Sequence, residues 1–300
     1  SVQLLKILKE VNNMATAQNT NHQTAAGGNS ANNKAVAKKQ ASALALDSAV
    51  LEKDAGTGLS NVTSRDLSMP RLKVLMQLSP EVNKSKQSYI EGAQPGMILN
   101  TVSQTLYDGD EGVLVIPCAF IPTYSEWSPM GDGARAPVKI YPGNSDILSK
   151  TKRDPKTFKD MIPNSGNYIQ RDANHFVLIV DEKNNATQEA LLTLKSTGLK
   201  TSRKWLSLMT SAKLQGKNGS FTPPTFAFTY RLKTTQESNE KGSWIAFTVH
   251  KDKPVEDASL YTQAKDFSQR MNKGHHGLFN EAASNEKQLA NETEKEQTPF

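Results

Sequence analysis

Cysteine is almost absent from this 300-residue chain, which has Cys118 alone. That excludes an intrachain disulfide and a cysteine-based metal cluster. Cys118 sits in the apolar run Val113-Leu114-Val115-Ile116-Pro117-Cys118-Ala119-Phe120, where a buried, inert thiol is expected. Long apolar runs are also missing: nothing approaches the roughly 20 residues that a membrane span needs. The early apolar residues Leu4, Leu5, Ile7 and Leu8 are too few for a secretory signal. A cytoplasmic protein, in a bacterial host, is the expectation.

Catalytic motifs are missing too. Gly216-Lys217-Asn218-Gly219-Ser220 lacks the spacing of a phosphate-binding loop, which argues against an ATP-driven helicase or recombinase. His275-His276 lies in a Gly-flanked polar stretch that reads as linker. Asp108, Asp110 and Glu111 read as a turn. Asp172, Asp181, Glu182 and Lys183 are the nearest approach to a nuclease centre, and their spacing does not bring carboxylates together on a metal. The expectation is a protein with no catalysis, no cofactor and no metal.

What is present is unevenly distributed. Residues 14–45 are Ala, Asn, Gln, Thr, Ser and Lys with hardly a bulky apolar side chain, so burial cannot offset their chain entropy and disorder is predicted. A short helix is expected over Leu46–Asp54, ended by Gly56 and Gly58. The first thirteen residues raise a separate point. Lys9-Glu10-Val11 back-translates to a ribosome-binding site, and Asn12-Asn13 spaces it from Met14. Residues 1–13 are therefore expected to be upstream sequence read in frame, although Leu4-Leu5-Ile7-Leu8 also suits an amphipathic helix. The resulting division is 1–13, a polar tail over 14–60, a folded core over 61–272 and a flexible acidic tail over 273–300.

The core is punctuated like a β protein, with short apolar runs bounded by Gly, Pro, Asn and Asp. Strands are expected at Leu72–Leu78, at Met97–Leu106 and Val113–Trp127 around the loop Asp108–Gly112, and at His175–Val180 and Glu189–Leu194 around Lys183–Asn185. A third hairpin is expected from Phe226–Leu232 and Trp244–His250 around Glu237–Gly242. Gly131–Asn167 reads as a surface excursion, and helices are expected at Ser202–Leu214 and Val255–Met271. Hairpins with interposed helices suit a mainly β fold, an OB-like antiparallel barrel with appended helices. A sandwich or an α+β sheet would give the same pattern.

One stretch stands out for the acids it lacks. Leu191–Lys233 holds 43 residues, eight of them basic, and no Asp or Glu. The cations are Lys195, Lys200, Arg203, Lys204, Lys213, Lys217, Arg231 and Lys233, interleaved with Trp205, Phe221, Phe226, Phe228 and Tyr230. Cations that track phosphates and flat rings that stack on unpaired bases are the two ingredients of single-strand binding. Lys200, Arg203 and Lys204 share one helical face, while Trp205, Leu208 and Met209 share another that should pack inward. Phe226, Phe228 and Tyr230 fall on one side of a strand by alternation. Whether they are core or a stacking platform, periodicity does not separate. Tyr124 and Trp127, near Arg135, Lys139 and Tyr141, could edge the same groove or cover the end of the core.

The tail has the opposite sign. Residues 280–300 carry Glu281, Glu286, Glu292, Glu294 and Glu296 against Lys287 and Lys295, and finish Thr298-Pro299-Phe300. It resembles the acidic, Phe-terminated tails of bacterial and T7-type single-stranded DNA-binding proteins, with Lys295 and the lack of Asp as departures. The resemblance implies that Glu294, Glu296, Pro299 and Phe300 dock replication or recombination proteins, and that the tail competes with DNA for the basic groove. The middle is similar to a group of phage proteins, some described as single-stranded DNA-binding. The residues that carry this are Met69-Pro70-Arg71-Leu72-Lys73, Tyr89-Ile90-Glu91-Gly92-Ala93, Ile116-Pro117-Cys118, Glu126-Trp127-Ser128-Pro129, Lys195-Ser196-Thr197 and Ser202-Arg203-Lys204-Trp205. The expectation is a protein that coats single-stranded DNA, with a strand-annealing protein or a structural virion protein as alternatives.

Overall fold

The computed structural model describes residues 48–62, 66–129, 136–183, 185–240 and 242–274. The segment 1–47, Arg135 and the tail with Glu294, Glu296, Pro299 and Phe300 lie outside the described residues. The chain divides into two compact units between Ser60 and Asn61. The described part of the first unit holds one short helix, α1 (Ser48–Lys53). Among the described residues no helix is long and apolar enough to cross a membrane.

The second unit is mainly β. Strands β1 (Leu72–Val74), β2 (Ile98–Asn100) and β3 (Leu106–Tyr107) make a small antiparallel sheet. The principal sheet contains β4 (Val113–Trp127), β5 (Lys139–Pro142), β6 (Lys152–Arg153), β7 (Asp160–Met161), β8 (Tyr168–Val180) and β9 (Ala186–Lys195). After helix α2 (Leu199–Ser211) and a separate two-stranded arm, β10 (Leu214–Gly216) with β11 (Gly219–Phe221), it is completed by β12 (Phe228–Asn239) and β13 (Gly242–Pro254). Helix α3 (Ala258–Asn272) closes the described chain.

The spine of the sheet is the antiparallel ladder of β4 and β8, running from Leu114↔Val180 to Trp127↔Tyr168. One end is flanked by β12–β13 and β9, the other by β5 and β7–β6. Pro117 falls inside β4, where its missing N–H would break a regular ladder. It is accommodated because the register shifts between Pro117 and Ala119. That bulge also reverses the alternation of facing residues, so Cys118 and Ala119 pack on the same face. The Cys118 thiol is buried, and burial pushes its pKa up to about 12.

Both faces of the sheet are covered. One packs Val113, Val115, Val177, Leu192, Tyr230 and Leu232 against Trp205 and Met209 of α2 and against β1 and β2. The other packs Leu114, Ile116, Phe176 and Leu178 against Leu260, Ala264, Phe267 and Met271 of α3. Each large anchor contributes about 1.5–3 kcal/mol by leaving water. The Asp257 side chain accepts from Leu260 N at 2.6 Å and caps α3, one step before its first turn. A parallel bridge from Arg71 to Leu191 joins the β1 segment to β9 as the sheet curls. The result is a curled antiparallel half-barrel with few helices, in line with the mainly β, OB-like expectation.

Local details differ from the sequence expectation. The Asp108–Gly112 loop does not join paired strands. β3 pairs β2, and the loop leads into β4, which pairs with β5, β8 and β12. Asp108 Oδ1 accepts from the Asp110 and Glu111 amides, while Thr234 N donates to Gly109 O, so the loop is folded onto β12. The third hairpin extends to Asn239↔Gly242, which places Glu237 inside the strand. The described part of the supposed excursion, from residue 136, contributes β5, β6 and β7 to the principal sheet. Phe226 lies in a single 3-10 turn, Thr225–Ala227, ahead of β12. It packs with the α3 face and against the Tyr261 ring at 5.2 Å, so the three rings do not share one side.

Candidate nucleic-acid interface

Helix α2 is placed by its inward side chains. Trp205 is fully buried, stacks on the His175 ring at 4.7 Å and 19°, and meets Tyr230 edge-on at 5.7 Å. Ser202 Oγ and His175 Nε2 lie 2.8 Å apart. Burial lowers the His175 pKa to about 3, so the ring is neutral at physiological pH. These contacts turn Lys200, Arg203 and Lys204 away from the sheet, and all three are exposed. None of them forms an ion pair among the described residues. Three cations without counter-charges on one turn of helix make a local positive field suited to phosphate.

The chain runs from α2 directly into the β10–β11 arm, which pairs only with itself. Every residue of both strands is exposed. Lys213 stands at its base, bonded to Thr222 Oγ1, and Lys217 stands at the turn. Phe221 is 47% exposed opposite Leu214, with its ring lying over Gly216. The arm thus offers a ring and two cations directly after α2 in the chain, the pairing that stacking and phosphate tracking require.

Other residues of the acid-free stretch are used differently. Lys195 lies at the end of β9, 3.4 Å from Asp172 Oδ1, with its ammonium 5.2 Å from the centre of the Trp127 ring. Asp172 is buried and also accepts from Ser125 Oγ. Burial raises its pKa, with Lys195 acting in the opposite direction. Lys195 is therefore a structural counter-ion as well as a surface cation. Arg231 is held by Glu182 in a bidentate pair at 3.0 and 3.2 Å. Its neighbours Tyr230 and Leu232 face α2, so Arg231 and Lys233 point to the opposite side of the sheet. Tyr230 is fully buried, which places it in the core and gives a base no access to its ring. Tyr124 is buried with Ile147 and Ile169, and Trp127 is half-buried under Lys195.

A groove of about 340 Å³ adjoins the start of α2. Arg71 and Lys73 from β1's neighbourhood, Thr193 and Lys195 from β9, and Ile245 and Phe247 from β13 help to line it. Lys73 is paired with Glu81 at 2.8 Å. The acidic residues considered as a nuclease centre do not converge. Asp172 faces Lys195, Asp181 caps the β8–β9 turn through the Lys183 and Asn185 amides, and Glu182 holds Arg231. Among the described residues no group of three or more His, Cys, Asp or Glu side chains is placed to hold a metal.

One feature escaped the sequence reading. Phe158 is 58% exposed at the tip of the β6–β7 hairpin and has a left-handed φ of 58°. The run Asp154-Pro155-Lys156-Thr157 signals a turn, but it does not say that the ring after it is presented to solvent.

A family model described as Pam3 phage gp34-like protein matches residues 37–277. None of the curated proteins matches the chain, and none of the solved structures does. The match spans most of the sequence, and the chain belongs to the Pam3 phage gp34-like family.

Proposed function

We propose that this Pam3 phage gp34-like protein is a non-catalytic single-stranded DNA-binding protein that acts in the bacterial cytoplasm. The observation that carries the reading is the α2 face with its arm. Lys200, Arg203 and Lys204 are exposed on α2, and Lys213, Lys217 and Phe221 are exposed on the arm that follows it. The stretch that builds both elements contains no acid. The cations displace counterions from the phosphate chain, and Phe221 offers a face to an unpaired base, contributing about 1–3 kcal/mol if it stacks. Nothing in this mechanism needs a reacting group. The tail residues Glu294, Glu296, Pro299 and Phe300 would recruit replication or recombination proteins, as the resemblance of the tail implies.

The test is fluorescence anisotropy of a labelled dT oligonucleotide against a duplex of equal length, at low and high salt. Preference for the single strand is expected, with log affinity falling linearly in log salt at a slope of about −0.7 per phosphate contacted. With five cations engaged, the slope is about −3.5. Equal binding of both forms, or none, would remove the reading. Acceleration of pairing between complementary strands in the same buffer would redirect it to annealing.

A further inference from the structure

A second exposed ring in a lysine-rich segment stands at the tip of the β6–β7 hairpin. Asp154 builds it. Its Oδ1 accepts from Lys156 N at 2.8 Å and its Oδ2 from Thr157 Oγ1 at 2.7 Å. Its backbone carbonyl accepts from Phe158 N, and its own amide donates to Lys159 O, both at 2.9 Å. These bonds, Thr157's first, hold the Asp154 carboxyl below the usual carboxylate range. The closure places Phe158 at φ 58°, a region that glycine occupies freely and a bulky residue rarely enters. A turn selected for shape alone would carry Gly or Asn here. This one carries a ring left 58% in water.

The segment that carries that ring is net positive. Lys150, Lys152, Arg153, Lys156 and Lys159 lie along the segment with Asp146, Asp154 and Asp160. Each carboxylate is already engaged: Asp146 with Lys150 at 3.2 Å, Asp160 with Arg153 at 3.1 Å, and Asp154 within its own turn. Lys152 and Lys156 are exposed, and Lys159 lies 3.7 Å from the centre of the half-buried Tyr168 ring. An exposed ring in a segment that also carries exposed lysines supplies the two elements that bind an unpaired base and its neighbouring phosphates. Pre-organisation of the turn lowers the ordering cost of such a contact.

We infer that the β6–β7 tip is a second single-strand contact, in which Phe158 stacks on an unpaired base and Lys152 and Lys156 meet the adjoining phosphates. The inference rests on the single-strand reading of α2 and its arm, and adds a contact from a different part of the sheet.

The experiment uses the full chain and a dT oligonucleotide carrying 4-thiothymine, with Phe158→Gly, Phe158→Trp and wild type compared by anisotropy and by photocrosslink mapping. Phe158→Gly suits the left-handed φ, so it keeps the turn and removes only the ring. The expected result is an affinity loss on the order of 5- to 100-fold for Phe158→Gly. Near-wild-type affinity is expected for Phe158→Trp, with a crosslink at Phe158 in the wild type. Wild-type binding with Phe158→Gly unchanged overturns the tip contact and leaves the α2 reading standing. Equal losses in Phe158→Gly and Phe158→Trp overturn stacking as the role of the ring. No single-strand binding by the wild type overturns both.

Discussion

Helices α2 and α3 do the same structural work on opposite faces of one sheet, yet their outer surfaces differ. α2 anchors through Trp205 and Met209, and α3 through Leu260, Phe267 and Met271. Outside, α2 carries Lys200, Arg203 and Lys204 without an acid. α3 carries Lys265 beside Asp266, and its Arg270 is paired with Glu189. Packing requires only the inner stripe of an amphipathic helix, so the outer stripe is available to selection for something else. On α3 the outer charges are mixed and partly neutralised, as on an ordinary solvated face. On α2 they are of one sign and without ion pairs among the described residues, and the proposed interface rests on this difference.

The sharpest way to break that comparison is to reverse charge on each helix in turn. Lys200→Glu with Arg203→Glu and Lys204→Glu should weaken dT binding on the order of 100-fold at moderate salt, and should flatten the salt dependence by about 2 in slope. Lys265→Glu should leave affinity within about 3-fold, since it faces away from α2. Equal effects from the two helices would mean that net charge alone drives binding.

Ion pairs on the two sides should also differ, this time in stability. Lys195→Ala removes the ion-pair partner of the buried Asp172, leaving Arg71 to act on it, and should cost about 2–3 kcal/mol in chemical denaturation, less than a fully enclosed pair because Lys195 is itself partly exposed. Arg270→Ala removes a pair between an exposed arginine and a partly exposed glutamate and should cost at most about 1 kcal/mol. A DNA-binding defect in Lys195→Ala must therefore be read beside its melting curve.

The anchor of α2 predicts a pH response. His175 has a folded pKa of about 3, against an unfolded value near 6.5. The unfolded chain takes up a proton that the folded protein excludes, so this contribution is full above about pH 6.5 and is lost as pH falls toward 3. The loss should reach about 2 kcal/mol by pH 5. Urea titrations across that range should show the slope, and His175→Gln should reduce it. The smallest effect belongs to Tyr230. Its hydroxyl is buried without a hydrogen-bond partner among the described residues, so Tyr230→Phe should be neutral within about 0.5 kcal/mol, or stabilising, and should leave dT affinity unchanged.

Features set by local physics were legible in the chain. The spacing of Lys200, Arg203 and Lys204 against Trp205 and Met209 foretold the two sides of α2, because a helix has one fixed period. The hairpin of β8 and β9 was legible in its turn residues, and the mainly β class in its short apolar runs. Alternation alone misassigned Phe226, because a single turn of 3-10 helix precedes β12 and breaks the period. The same limit applied to the hairpin expected across Asp108–Gly112, since a turn motif specifies a reversal and not the partner of the strand that follows.

What only the tertiary structure decided was which charges and rings remain available. Arg231 and Glu182 are 49 positions apart, and Arg270 and Glu189 are 81 apart. The β8–β9 turn reaching β12 makes the first pair, and the packing of α3 on the sheet makes the second. Lys195 meets Asp172 because β8 and β9 align them. Tyr230 is enclosed and Phe221 exposed, although both belong to the same acid-free stretch. Phe158 stands out because four hydrogen bonds of Asp154, three accepted and one donated, close its turn. Helical period, strand alternation and turn chemistry act over a few residues, and the sequence by itself determined what they control. Neutralisation and burial depend on neighbours supplied by the folded sheet, so which charges are paired and which rings are exposed belonged to the tertiary structure.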